Sequence, residues 1–365
     1  MGVIINIDEA LRLRTDYNIL REPLNALLTE QQEAWERENP IDLIFVRNSI
    51  DRFQETYTSS IGFRHAFAET SDYAVGPIFN TAEGFAATYR TRTFQGSFII
   101  TQQALEDKAY GKTKDDANAF IKRWHADIVE YAMTAIGAGF GNEAVYETPE
   151  GKSRLRLQSA DTVDGTLDGI KNPLFTNKHT IVKREGMSAA DITAAQQSNA
   201  FYANFTIGGS DPGQIAKLAD VINQVITIME NYRDDNGKIA GVLGKKTIVA
   251  PNDAHLKAAL NAALSMDMLN MVGQKSGPNP AYQRAELKTT PYLGMVPAMA
   301  NGKGFFIVDK EYNAANHGPE FTERIALTLD VIETKRPKGI IYEGRQRFDI
   351  NVASWRGIAY VYIGD

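Results

Sequence analysis

The chain has 365 residues, 43% of them hydrophobic and 23% charged, which is enough apolar material for a substantial core and excludes global disorder. Its net charge of -6, with no Lys/Arg-rich run, argues against a dedicated nucleic-acid binder, which needs a basic face to neutralise phosphates. The absence of cysteine excludes disulfides, thiolate metal sites and cysteine nucleophiles. The first residues lack a basic segment followed by a long apolar one, and no apolar run reaches membrane-spanning length, so neither a signal peptide nor a membrane partner is expected.

Residues 1–72 read as an extended, partly helical arm. Leu20, Leu24, Leu27 and Leu28 recur at helical spacing, and Glu30, Glu33, Glu36 and Glu38 follow. That acidic part suits either a solvated surface helix or an arm packed on a neighbouring subunit. Between 73 and 101, Gly76-Pro77 and Gly84 break the chain. The run from Tyr89 through Arg90, Arg92, Phe94 and Phe98 to Ile100 then alternates in part and predicts strand. Much of it is polar, which favours a protruding β-hairpin over a core sheet.

Residues 115–136 carry the clearest helix: Ala117, Phe120, Ile121, Trp124, Ile128, Tyr131, Ala132 and Ile136 form one stripe, and Gly137 and Gly139 end it. From 141 to 205 the chain is irregular, with turns at 148–151 and at Asn172-Pro173, and Ser188 to Asp191 reads as a capping box. From about 206 the pattern becomes α/β. Pro212 opens a helix with the stripe Ile215, Leu218, Ile222, Val225 and Met229, and the 234–237 turn closes it. Strands are predicted at Thr247–Ala250, Gly304–Val308, Phe321–Ile332, Phe348–Val352 and Ile358–Ile363, and a helix at Ala254–Leu264.

The search for chemistry yields little. Gly137, Gly139 and Gly141 follow a helix rather than a strand, so they make a poor dinucleotide loop. Gly244-Lys245-Lys246-Thr247 lacks the first glycine of a P-loop, a position held by Ile239. His65, His125, His179, His255 and His317 show no ligand spacing, and Asp234, Asp235 and Asn236 do not continue into a calcium loop. No catalytic residue, metal or cofactor is assigned.

The order of elements carries more than any motif. The passage Arg90–Asp107, the segment Leu174-Phe175-Thr176-Asn177-Lys178-His179, the pieces Asp235-Asn236-Gly237 and Ile248-Val249-Ala250-Pro251, and the stretch Ile341–Val352 with Trp355–Ile363 together resemble the Hong Kong 97-type fold of tailed-bacteriophage capsid proteins, in particular the Mu-type major head subunits. The resemblance covers residue 73 to the end, and the first seventy residues match by position only. It implies an α+β chain with an N-terminal arm (1–72), an extended loop or E-loop (73–101), a peripheral P-domain with a long spine helix (102–205), an α/β axial A-domain (206–325) and C-terminal strands returning to the P-domain (326–365).

The function this implies is a major capsid protein that self-assembles through pentamers and hexamers into an icosahedral head around double-stranded DNA. It would be assembled in the host cytoplasm and located in the virion. Its partners would be the portal, scaffold or decoration proteins, and DNA touched weakly and non-specifically. Tyr89, Arg90, Arg92, Phe94, Phe98, Phe120, Trp124 and Ile128, in the E-loop and spine helix, are the expected assembly residues. Acidic charge is expected to line the interior, so that reversing arm carboxylates impairs packaging more than assembly. The alternatives are an encapsulin-like nanocompartment shell, a tail-sheath-like subunit and an uncharacterised α+β enzyme. Some relatives weld subunits through an E-loop lysine. Here no lysine precedes Lys108, so no such crosslink is expected, and the starting Met1 argues against an N-terminal scaffolding domain removed by protease.

Overall fold

The computed structural model describes residues 29–35, 39–60, 83–101, 110–148, 151–207, 212–235, 237–269, 277–299, 302–335 and 338–364. The Leu20–Leu28 stripe, His65, Gly76-Pro77, the passage into the spine helix at 102–109, the 149–150 turn, Ser210-Asp211 and Asn236 lie outside these residues.

The spine helix α1 spans Tyr110–Gly137, longer at its start than the stripe predicts. The α-helix ends at Gly137, where the glycines were expected to end it. A 3-10 turn, Ala138–Phe140, continues to Gly141, whose φ of 90° reverses the chain. That left-handed conformation costs glycine nothing and other residues about 1 kcal/mol or more. The stripe residues Ala117, Ile121, Ile128, Tyr131, Ala132 and Ile136 are all buried.

Two main sheets flank this helix. The first has the strand order β1 (Val46–Ser49), β15 (Glu320–Lys335), β16 (Lys338–Asn351), β4 (Arg92–Thr101). The second has the order β13 (Ala285–Thr290), β10 (Lys246–Pro251), β14 (Gly304–Asp309), β17 (Ile358–Ile363), β9 (Ala200–Ala203). Helices α3 (Pro212–Glu230) and α4 (Ala254–Ser265) contribute their apolar faces to the core around this second sheet. The α3 stripe is buried as its spacing requires, and Asp253 caps α4 by accepting from Leu256 N at 2.8 Å. Smaller pairs complete the chain: β2 (Gln54–Ser60) with β3 (Glu83–Arg90), β5 (Ala144–Thr148) with β6 (Gly151–Leu155), β7 (Gln158–Thr162) with β8 (Lys171–Pro173), and β11 (Met268–Leu269) with β12 (Gly277–Pro278). Short helices include α2 (Ala189–Ala194), whose Ser188–Asp191 capping box forms as read, and α5 (Lys310–Ala315), and residues 29–35 are helical as well.

Three placements differ from the sequence reading. Residues 83–101 are not one protruding hairpin: β3 pairs with β2, with Tyr57 opposite Ala87, while β4 pairs with β16, with Phe98 opposite Tyr342. The reason is facial. Arg92, Phe94, Gly96 and Phe98 share one side of β4 and pack toward α1, leaving Thr93, Gln95, Ser97 and Ile99 outside. Second, part of the expected arm belongs to the body, since Ile41, Ile44 and Phe45 enter the main core and β1 lies parallel to β15. Third, β17 does not join the sheet beside α1. Ile358, Ala359, Tyr360, Val361 and Ile363 are buried, and a strand so enclosed belongs inside a sheet covered on both faces.

Candidate functional site

Five of the eight expected assembly residues meet in one seam between α1 and the β4–β16 pair. Phe98 stacks on Tyr342 at 4.9 Å and contacts Phe120 at 5.0 Å. Trp124 Nε1 donates to Gln346 Oε1 at 2.7 Å, and Gln346 Nε2 donates to Glu323 Oε1 at 2.8 Å. Phe94 stacks on Phe348 at 4.4 Å and meets the Tyr131 edge at 5.1 Å. Tyr131 donates to Asp349 Oδ1 at 2.6 Å, and Arg92 Nε donates to Asp349 Oδ2 at 2.9 Å. Burial pushes the Asp349 carboxyl above the usual carboxylate range, against the opposing pull of Arg92 and Tyr131. Ile128 lies in the main core. Within the subunit these side chains pack against one another.

The other two sit at the root of the β2–β3 ribbon. Tyr89 is buried with Phe85, Ala87, Ala160 and Val182, and its hydroxyl donates to His317 O at 3.3 Å. Burial, then the charge of Glu320, raises the Tyr89 phenol. Arg90 is exposed and donates to Gln54 Oε1 at 2.9 Å. The Tyr57 ring lies 4.0 Å from the His317 ring in a tilted contact, and Glu320, buried and raised by desolvation, accepts from Asn48 Nδ2 at 2.8 Å. His317 has a φ of 52°, an uncommon conformation for a non-glycine residue, fixed by these contacts.

A buried polar hub escaped the sequence reading, which met His179 inside a motif and among five histidines without ligand spacing. His179 lies flat on Trp355, with ring centroids 4.0 Å apart. Its Nδ1 is 3.1 Å from Asp161 Oδ2, and its Nε2 is 3.1 Å from both Leu174 O and Asn199 Oδ1. Asn199 Nδ2 donates to Leu174 O and Ile358 O, so its Oδ1 is an acceptor and His179 Nε2 must donate. Burial pushes the Asp161 carboxyl up, but His179, Ser159 and Asn172 together outweigh it and hold it down to about 2. The pair has the composition of a catalytic dyad, yet His179 is fully enclosed and both its nitrogens are committed, so it serves as a structural pin. Nearby, Arg356 Nη2 donates to Asp235 Oδ1 at 2.8 Å, both residues buried.

Among the described residues no group of three His, Cys, Asp or Glu is placed to hold a metal ion, and no helix is long and apolar enough to cross a membrane. A cavity of about 700 Å³ lies between α2 and the end of α3. Of its polar residues, Asp191 caps α2, Ser198 bonds Ala200 O, and Gln197 spans to Arg233.

No protein-family model and no curated protein matches the chain. Solved structures do share its course. The mature capsid of bacteriophage PhiM1 aligns at 9% identity and a TM-score of 0.45, covering 88% of this chain and 85% of that one. Mycobacterium phage Patience aligns at 12% identity and a TM-score of 0.45, covering 95% and 88%. A virus-like particle from Pyrococcus furiosus aligns at 6% identity and a TM-score of 0.41, covering 94% and 97%. Identities and TM-scores this low carry no function across, so function rests on the chain's own geometry.

Proposed function

We propose that this chain is the major shell protein of a tailed-phage head, self-assembling into an icosahedral container for double-stranded DNA. The observation that carries this reading is a subunit with a closed core that still leaves surface for neighbours. The β2–β3 ribbon has no third strand on either edge among the described residues, and an uncovered strand edge is a template for pairing with another chain. Large apolar side chains also stand out on ordered segments, Ile170 at 79% and Tyr202 and Leu243 each at 72% exposure. Single exposed apolar residues are ordinary, whereas groups of them mark contact surfaces. Repeated around closed symmetry axes as pentamers and hexamers, modest contacts of this kind sum to a stable shell. The net charge of -6 suits a wall that packaged DNA touches without sticking. Within this reading, assembly takes place in the host cytoplasm, and portal and scaffold proteins are the further partners.

The test is electron microscopy and size-exclusion chromatography of the expressed chain. Closed isometric particles are expected. A stable monomer at every concentration would sink the reading, and particles isolated from their source with a cargo enzyme in place of DNA would make the shell a nanocompartment instead.

A further inference from the structure

Two ordered loops carry apolar side chains that their own subunit leaves uncovered. The first joins β7 to β8. In it Val163, Leu167 and Ile170 are 51%, 47% and 79% exposed, flanked by Asp164 and Asp168. The loop is tied from within: Thr166 N and Oγ1 donate to Asp164 Oδ1 at 3.2 and 2.8 Å, Thr162 Oγ1 donates to Thr166 O at 2.6 Å, and Val163 N donates to Ile170 O at 2.8 Å. Lys183 N fastens it from outside, donating to Gly165 O at 2.7 Å. Gly165 has a φ of 75°, and a Cβ there would meet Ile181 O at 2.8 Å, so the turn is matched to its seat. The ordering cost of this protrusion is already met on folding, which favours its use in binding.

The second loop spans 238–245. Ile239 and Leu243 are 67% and 72% exposed, while Val242 between them is fully buried. Lys246 anchors the loop from beneath, its Nζ donating to Val242 O at 2.9 Å, Gly244 O at 2.8 Å and Asp309 Oδ2 at 2.7 Å. Lys238 and Lys245 flank the apolar pair. Lys245 reaches Glu286 at 3.2 Å, an exposed pairing that water weakens.

We infer that the 163–170 loop of one copy docks on the 238–245 loop of a second copy, an inference that rests on the shell reading. Each surface has an apolar centre and a charged rim, and the rims are opposite in sign: Asp164 and Asp168 on one, Lys238 and Lys245 on the other. The hydrogen bonds from Thr166 hold the Asp164 carboxyl below the usual carboxylate range, so the acidic rim is ionised at neutral pH. An apolar centre inside a polar rim supplies affinity, and the matched charge supplies orientation. The partner is a second copy because the two loops leave each other exposed within one chain. The segment between them is engaged with both sides, through Lys183 N on Gly165 O and Arg184 Nη2 on Asp235 O.

The chain's lack of cysteine makes the test direct. Leu167→Cys and Leu243→Cys are made as separate full-length variants, mixed, and treated with a short bis-maleimide. A mixed dimer is expected, at least tenfold more abundant than the dimers of either variant alone. Adding Asp168→Lys to the first variant, which leaves the Asp164 tie in place, should lower the mixed dimer several-fold. Lys238→Glu and Lys245→Glu in the second should bring it back. The substituted side chains are exposed, so the unfolding midpoint checks that the fold is intact. No mixed dimer under conditions where closed particles form overturns the docking and leaves the shell reading standing. Neither dimer nor particles overturns both. A mixed dimer without particles upholds the docking and overturns the shell.

Discussion

Gly344 of β16 lies directly opposite Gly96 of β4, and together they make a seat on which the α1 aromatics rest. A Cβ on Gly344 would stand 3.1 Å from Phe120 and 3.2 Å from Trp124, and one on Gly96 would stand 3.2 Å from Trp124. The helix approaches the sheet there by using the space a side chain would occupy. Gly344→Ala is expected to cost about 1–3 kcal/mol, the usual penalty for adding a methyl group to a filled core. Adding Phe120→Leu should recover part of that loss, because the nearest obstructing atom belongs to Phe120. Denaturant unfolding of the two single variants and the double variant measures both effects. Fully additive losses would show that the seat has slack.

Arg92 is the charged partner of Asp349, and it is the more exposed of the two. Arg92→Ala leaves the buried carboxylate with the Tyr131 hydroxyl and the Ile350 N–H. Breaking a fully buried pair costs about 3–5 kcal/mol, and partial exposure of Arg92 reduces this to about 2–3 kcal/mol near neutral pH. The Asp349 carboxyl titrates above the usual carboxylate range, so it takes up a proton early on acidification. The gap between Arg92→Ala and the wild type should therefore narrow as pH falls, beginning before ordinary carboxylates titrate. Unfolding free energies measured across that range check it, and a pH-independent gap would assign the loss to packing of the arginine stem.

Asp161 behaves in the opposite sense. Its folded carboxyl is held down to about 2, below the unfolded value of about 4. The stability it contributes is present above pH 4 and is lost as pH falls from about 4 through 2. Asp161→Asn removes that acid-dependent component. It also takes an acceptor away from the buried His179 Nδ1, so a loss of about 1–3 kcal/mol is expected at neutral pH. Because Asp161 also accepts from Ser159, Asn172 and Thr180 N, the hydrogen-bond network should loosen with it. Amide exchange at Thr180 is the local measurement.

Elements with their own periodicity were legible in the sequence. The stripes of α1 and α3, the apolar runs of β10 and β14 and the Ser188 capping box each encode a local structure, and each forms. What a strand pairs with is not local. Phe94 and Phe98 were read as polar-sided hairpin residues because the aromatic partners Phe348 and Tyr342 lie far along the chain. The Trp124–Gln346 bond spans 222 residues. For the same reason the pairing of β17, correctly read as strand, with β14 and β9 could not be read from the sequence. The His179 hub was illegible for another reason. Its members Asp161 and Asn199 lie 18 and 20 residues away, a spacing that no helix or strand period selects.

His125 joins the chain's N-terminal part to the spine helix through a stacked pair of rings. Its imidazole lies 4.5 Å from the Trp35 ring at 13° between planes, and the Arg47 guanidinium sits 5.4 Å from the same Trp35 ring. Burial lowers the His125 imidazole to about 4, so the folded protein holds it neutral. The unfolded chain binds a proton there from about pH 6.5 downward. Between about pH 6.5 and 4 the unfolded state therefore carries more protons, and stability must fall as pH falls through that window. The loss from this one group is bounded at about 3 kcal/mol. His125→Phe keeps a flat ring against Trp35 and removes the titration, so its stability should stay level where the wild type declines. Urea unfolding of both proteins at about pH 7, 5.5 and 4.5 separates the curves. Parallel declines would move the acid sensitivity to the carboxylates, and His125 would then be a packing residue only.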